Sequence, residues 1–417
     1  MIRFSLFVIL LLLHTGICAQ LTLKECQEAA HDNYPQARQY QLIQLAEEYS
    51  LQNVRKRNLP QISLSGKVSW QSEATTFPFE IPGTGMKGLP KDQYQVLAEV
   101  RQTLWDGGQT HYQKQQVRAE TEEKERQLDV SMYALNDRVN QVFFGILLLE
   151  EQLRQNDLLR KDLERNLRDI GTYQQNGLAN ETDADAVQAE ILQVGQQRQQ
   201  LQSNRRAYLR MLSLLTGKEL GEDTVLEQPI ADDGWDAAII RRPELEWYRA
   251  QEQQIEVQKK RLKSNYMPQF GLFAQAAYGN PGLDLFKDKF RTYGMAGIRF
   301  TWNFGSLYTL KDDKRNLETR RKMVDTEREL FLFHTRLQLI GQQERIRTLR
   351  MQLQEDDEII RLRTRIRKAA EIKVANGTLS VTEMLRELTA ESLARQTKAQ
   401  HEMELLMEQF NMKQLTN

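Results

Sequence analysis

Two nine-residue passages of this chain follow one pattern. Residues 58–66 read NLPQISLSG and residues 266–274 read YMPQFGLFA, 208 positions apart. That offset also carries Pro35 onto Pro243, so the 24 residues between the prolines of each pair match in number without a gap. A repeat of this length means that the fold is built from two similar halves.

Each copy ends a polar, helix-compatible run with Pro-Gln and then alternates strictly. Ile62, Leu64, Gly66, Val68 and Trp70 form one row, and Gln61, Ser63, Ser65, Lys67 and Ser69 the other. That is the period of a strand with one apolar and one wet face. In the second copy Phe270, Leu272, Ala274, Ala276 and Tyr278 form the apolar row, and Phe273 interrupts the wet one.

A strand returns from each. Tyr94, Val96, Ala98, Val100 and Leu104 are expected outward against Gln95, Glu99, Arg101 and Thr103, and Ile298, Phe300 and Trp302 outward against Arg299 and Thr301. The returning passages VRQTLWDGG (100–108) and IRFTWNFGS (298–306) are offset by 198, so the first hairpin loop is ten residues longer. Loops tolerate such insertions because their backbone is already solvated. Pro78, Pro82 and Pro90 in that loop and Pro281 in its counterpart mark the exposed ends of the hairpins.

The rest reads as helix. Residues 91–228 and 282–417 contain no proline, and proline costs about 3 kcal/mol or more inside a helix. Apolar residues recur sparsely, as at Val130, Met132, Val139, Val142, Phe143 and Ile146, the pattern of a coiled-coil seam. Each long run is broken once, at Asn176-Gly177 and at Asn376-Gly377, where glycine is expected in the left-handed conformation that ends a helix. Thr22 and Glu25 make a capping box at the first helix. Residues 216–235 form a connector with Gly217, Gly221, Pro229 and Gly234.

Residues 1–19 read as a secretory signal, with Arg3, an apolar segment at 4–13 and a cleavage site after Ala19. Ten apolar residues are about half of a membrane-spanning helix. Ile17 before Cys18 is larger than the usual lipidation box takes, and cleavage would leave Cys26 as a single, helix-packed thiol. No later stretch has the length of a spanning helix. Mean hydropathy is −0.62, which does not exclude a barrel, because barrel strands of about ten alternating residues barely register in hydropathy. The charge is balanced, 57 basic against 57 acidic residues, so no field gathers nucleic acid.

The expected organisation is therefore a signal peptide over 1–19 and two structural repeats. The first spans 20–217, with a helix over 21–58, hairpin strands over 60–71 and 93–105, and helices over 107–172 and 181–216. The second spans 218–417, with the connector over 218–234, a helix over 235–266, strands over 268–279 and 291–302, and helices over 305–375 and 381–414. Pro60 and Pro268 turn each helix into its strand.

Catalytic patterns are missing: His14, His31, His111, His334 and His401 are scattered, and no zinc-protease, phosphate-loop or nucleophile-elbow spacing occurs. No enzyme activity is expected. Two readings remain. One is a periplasmic coiled-coil adaptor or structural protein in which the hairpins are soluble decorations. The other is a membrane barrel, with Tyr94, Tyr278, Tyr293 and Trp302 as candidates for its aromatic girdles. Four strands cannot close a barrel, and lipid tolerates no open edge, so this second reading requires several copies.

The ordered set of features resembles the TolC-like outer-membrane efflux proteins. It comprises two helix, hairpin, helix, helix repeats, the Pro-Gln strand entries, residues 104–108 (LWDGG) at a strand exit, and the turns at 177–183 and 377–383. The resemblance implies an α+β membrane protein of long antiparallel coiled-coil helices. It also implies a homotrimer whose two β-hairpins per chain close a 12-stranded β-barrel in the outer-membrane lipid of a Gram-negative bacterium. An α-helical barrel would continue it into the periplasm. Such a channel exports small molecules or proteins passively, without a cofactor, beside a periplasmic adaptor protein and an inner-membrane pump.

Six positions after each turn glycine stand Asp183 and Glu383, which the resemblance implies as gate residues, flanked by Thr182 and Arg386. Read from the residues alone, both acids serve equally well as solvated carboxylates at a helix start. The chain also departs from the family pattern. Gln174 and Val374 stand where an aromatic is usual, with Tyr173 one position earlier, and Leu379 and Arg386 occupy positions where some members carry an arginine and an acid.

Overall fold

The computed structural model describes residues 20–74, 89–177, 179–230, 239–284 and 288–417. The expected signal peptide, Cys18, Pro78, Pro82 and part of the connector lie outside these residues. The elements in order are α1 (Leu23–Asn33), a 3-10 turn (Pro35–Ala37), α2 (Arg38–Lys56), β1 (Gln61–Trp70), β2 (Asp92–Trp105), α3 (Gln109–Gln175) and α4 (Glu181–Thr216). They continue with α5 (Pro243–Ser264), β3 (Gln269–Asn280), β4 (Arg291–Thr301), a 3-10 turn (Gly305–Leu307), α6 (Leu310–Ala375) and α7 (Val381–Thr416).

The first helix of each repeat departs from expectation. Instead of one helix over 21–58 there are two, separated by the turn at Pro35. Tyr34 takes extended geometry (φ −65°, ψ 128°) while its N–H still caps Ala30 at 2.9 Å, because the residue before a proline is pushed out of the helical region. The helix expected over 235–266 begins only at Pro243. A ring that fixes φ and lacks an N–H suits a first helical turn: Pro35 opens the 3-10 turn before α2, and Pro243 opens α5. The helix expected to begin at residue 305 starts at Leu310, after a 3-10 turn.

The Thr22 box is formed: the Glu25 N–H donates to Thr22 Oγ1 at 3.2 Å and the Thr22 N–H to Glu25 Oε2 at 3.0 Å. These bonds hold the Glu25 carboxyl below its usual range. Cys26 on the same helix is fully buried, and burial pushes its thiol up to about 12, which suits an unreactive packing role.

The chain divides into two compact units. One, Tyr40–Gln127 with Glu246–Arg328, holds the sheet; the other holds the remaining described residues. The sheet is antiparallel throughout in the order β1-β2-β3-β4. Its two hairpins are joined because β2 also pairs with β3, for example Val100 with Ala274 and Ala98 with Ala276.

In the helical unit, α1, α4 and the connector are tied together by one backbone bridge and by side chains. Leu21 bridges in parallel to Leu226, and Asn33 Nδ2 donates to the carbonyls of Leu214 and Leu215 at 3.0 and 3.1 Å. Arg205 of α4 donates to Glu150 of α3 and to the carbonyls of Glu222 and Thr224 in the connector, at 2.6–3.0 Å. Between α3 and α4, the missing side chain of Gly145 makes room for the ring of Tyr208. One apolar cluster gathers Leu163 and Ile170 of α3, Val187 of α4, Val374 of α6, and Met384 and Leu388 of α7. It ties the two helical hairpins together, with about 1.5–3 kcal/mol from each fully buried side chain.

Candidate functional site

The sheet has two chemically distinct faces. Paired residues across antiparallel strands point to the same side, so the register puts Ile62, Val100, Ala274 and Ala296 on one face and Ser63, Glu99 and Gln275 on the other. The apolar face is open to its surroundings: Ile62, Leu64, Val68 and Trp70 are 69–78% exposed. Rows of large apolar side chains left uncovered in this way mark a surface that meets lipid or another protein.

Aromatic rings bound this face at both ends. At one end Phe290 lies 5.9 Å from Tyr94 and stacks on Tyr278 at 5.6 Å. At the other, Phe270 is 5.8 Å from Trp105 and 5.1 Å from Phe300, and Trp302 is 4.7 Å from Phe304. A register shift between Thr103 and Trp105 places Trp105 opposite Phe270. From Phe270 to Tyr278 along β3 is about 27 Å at about 3.4 Å per residue, close to the apolar band of about 25 Å typical of outer-membrane barrels. Tyr293 does not belong to these girdles. It lies on the polar face, where Gln95 Nε2 donates to its hydroxyl at 2.5 Å.

On the polar face Glu99 is only 4% exposed. It accepts from Arg101, from Gln275 at 3.1 Å and from Arg299 at 3.1 Å. Phe273, the residue that interrupts the polar row, lies beneath the Arg299 guanidinium at 5.1 Å. Its ring fills the space above Gly297, where any added side-chain carbon would meet it at 3.0 Å. The sequence flags neither this stacking nor the gathering of two arginines from different repeats onto one acid.

The turns of the helical unit hold the other candidate residues. Gly177 and Gly377 have φ of +73° and +68°, the left-handed geometry that glycine adopts without a Cβ clash. Asn176 Nδ2 donates to the Thr172 carbonyl at 3.0 Å and the Asn376 N–H to Ile372 at 3.1 Å, closing the preceding helices.

Asp183 and Glu383 each sit at the third position of a new helix and complete a capping box. Asp183 accepts from the Asn180 N–H at 3.0 Å; Glu383 accepts from the Ser380 N–H at 3.3 Å and from its hydroxyl at 3.0 Å. Thr182 donates to Asn180 Oδ1 at 2.6 Å, and exposed Arg386 pairs with Glu387 at 3.7 Å. Neither acid takes a basic partner from α6. Arg367 turns instead to Glu371 and Glu391. Tyr173 and Leu379, two of the departures from the family pattern, pack on the apolar cluster.

Among the described residues no group of side chains has the makings of a metal site, and no helix is long and apolar enough to cross a membrane. As a sequence, the chain matches no protein-family model and no curated protein. As a structure it matches CusC, described for its transmembrane channel formation, at TM-score 0.68 and 13% identity, covering 96% of this chain and 93% of that one. It matches the outer membrane protein VceC of Vibrio cholerae at TM-score 0.65 and 11% identity, covering 95% and 96%. The open-state MtrE outer membrane channel of Neisseria gonorrhoeae matches at TM-score 0.65 and 12% identity, covering 94% and 88%. With helices, sheet order and strand faces all in place, the chain has the fold of the TolC-like outer-membrane channels.

Proposed function

We propose that this protein is the outer-membrane channel of a tripartite efflux or secretion system. Three copies would close a 12-stranded barrel, and substrates would pass without energy input here. A periplasmic adaptor and an inner-membrane pump would supply selection and drive. The observation that carries this reading is the continuous apolar face of the sheet, bounded by aromatic rings at both ends. A soluble adaptor has no use for such a face, and water would penalise it at roughly 25 cal/mol per Å².

The trimer is supported by what one chain leaves open. Among the described residues β1 and β4 each have one neighbour in the sheet, and unpaired edges are not tolerated in lipid. On α6, Leu330, Phe333, Leu337 and Ile340 are exposed at alternating spacings of three and four, a coiled-coil seam awaiting a partner helix. In the trimer, Asp183 and Glu383 would supply six carboxylates to a periplasmic constriction, with Thr182 and Arg386 beside them.

The test is to extract the full-length protein from membranes and compare gel mobility with and without heating, then record conductance in planar bilayers. A detergent-dependent, heat-modifiable oligomer that conducts supports the channel. A protein soluble without detergent that gives no conductance would return the adaptor reading.

A further inference from the structure

The polar face of the sheet is unequal in charge. Among the described strand residues it carries Lys67, Arg101, Arg291 and Arg299 against the single acid Glu99. The register aligns Lys67 with Gln95, Gln95 with Gly279 and Gly279 with Arg291, so two of the cations share one row across all four strands. Asp92 pairs with Trp70 at the end of the apolar rows and does not offset them.

Arg101 and Arg299 form the other basic group. Glu99 is nearly buried between them, yet their own side chains remain 58% and 44% exposed. One acid thus fixes two guanidiniums on a rigid sheet and neutralises only one. Arg299 is further held by the Phe273 ring beneath it. Each guanidinium has five N–H donors, and its contact with Glu99 runs through one nitrogen. The remaining donors are free to meet a carboxylate or phosphate in the forked geometry that arginine favours.

We infer that this face is an anion-recruiting lining, and that the molecules passing it are small organic anions bearing carboxylate or phosphate groups. The inference rests on the channel reading, which makes this face the barrel lumen. Three surplus positive charges per chain, repeated around a narrow passage with low-dielectric walls, raise the local concentration of anions. The passage selects by charge while the paired arginines offer a weak, exchangeable docking point.

The experiment is planar-bilayer recording of the full-length protein under a KCl gradient, read as the change in chloride-over-potassium preference on substitution. Because Glu99 would be stranded by loss of its partners, the arginines are removed together with it, as E99Q/R101Q/R299Q, and the exposed Lys67 is changed alone, as K67Q. Both variants should reduce anion preference, the triple by about threefold, the Boltzmann factor for one kT of local potential. E99Q alone should raise it, an opposite sign that misfolding would not produce. Block by citrate or inorganic pyrophosphate should weaken in the triple variant. Conducting channels whose preference and block are the same in all three variants would overturn the inference and leave the channel standing. Failure of the wild-type protein to conduct would overturn the channel reading itself.

Discussion

Arg367 of α6 donates through Nε to Glu391 of α7, and both side chains are almost hidden from solvent, at 11% and 6% exposure. Glu391 also accepts from Arg395 at 2.6 Å and from Thr364 at 2.8 Å, while Arg367 reaches Glu371 at 2.5 Å. Glu371 in turn accepts from Arg165 of α3 at 3.0 Å, so one charged chain of contacts joins three helices.

Removing one member of this network should be more harmful than removing both. Glu391→Ala leaves the nearly buried Arg367 guanidinium with Glu371 as its one remaining acid, at a cost of about 1.5–3 kcal/mol for the lost charged hydrogen bond. The paired change Arg367→Met with Glu391→Leu should recover much of that loss. Thermal unfolding of the two variants beside the parent protein measures the difference, and equal melting temperatures would show that the pair is solvated in solution.

The same group gives a pH dependence. Burial pushes the Glu391 carboxyl up, but hydrogen bonds from Arg395, Thr364 and Arg367 outweigh it and leave it below its ordinary value of 4.5. A carboxyl held low in the folded state contributes stability that is fully present above about pH 4.5 and is lost as pH falls through its folded value. Melting temperature should therefore fall below pH 4.5 more steeply in the parent than in Glu391→Gln, and parallel curves would refute this assignment.

The sheet predicts a positional contrast. Arginine at Ile62 or Leu64 would face hydrocarbon at about 2–4 kcal/mol near the midplane, whereas arginine at Ser63 or Ser65 would face water. If three copies close a barrel in lipid, as proposed, trimer yield in the outer membrane should drop for the first two and hold for the second two. Equal tolerance at all four positions would end the barrel assignment.

For the turns, Asp183→Asn with Glu383→Gln is the informative change. The new amide oxygens can still accept from the N-caps, so the helix starts are kept while the charge is lost. If these acids line a constriction, their neutralisation should raise the chloride-over-potassium preference, opposite in sign to the loss of the basic side chains of the sheet, and block by multivalent cations should decline in bilayer recordings. Recordings identical to wild type would leave them as helix-start residues only.

Glycine supplies a last contrast. Gly377 has positive φ, and Gly377→Ala should cost about 1–2 kcal/mol. Gly195 lies within α4 with nothing near the position of an added Cβ, so Gly195→Ala should stabilise by up to about 1 kcal/mol. Opposite shifts in melting temperature are the expected result.

Much of the architecture was legible because it repeats. Constant offsets between proline-marked passages point to two similar halves, and alternation from Ile62 to Trp70 separates the strand faces, as the register has them. The split at Pro35 was equally visible but outweighed by the helical spacing around it. Less accessible was anything decided by pairing between repeats. Alternation placed Glu99 inward, yet only the β2–β3 register shows that Arg299 reaches it. The side of Tyr293 was legible too: with Ile298, Phe300 and Trp302 on the apolar row, the period of two puts Tyr293 on the polar one. Asp183 and Glu383 were ambiguous for a physical reason: the position that offers a carboxylate to a tunnel also completes a capping box.

The junction of β2 with β3 sets the order in which the molecule can be made. Tyr94 pairs with Asn280 and Trp105 with Phe270, so the centre of the sheet joins residues more than 160 positions apart. Contacts of such sequence separation form late, since the intervening chain must first be ordered. During synthesis the first hairpin emerges with both edges bare and an apolar face exposed long before its neighbour exists, the circumstance in which strands pair with the wrong chain. Until β3 exists, the inner edge of β2 has no partner within its own chain, so the strand order itself sets an interval in which the first hairpin is the segment most open to mispairing.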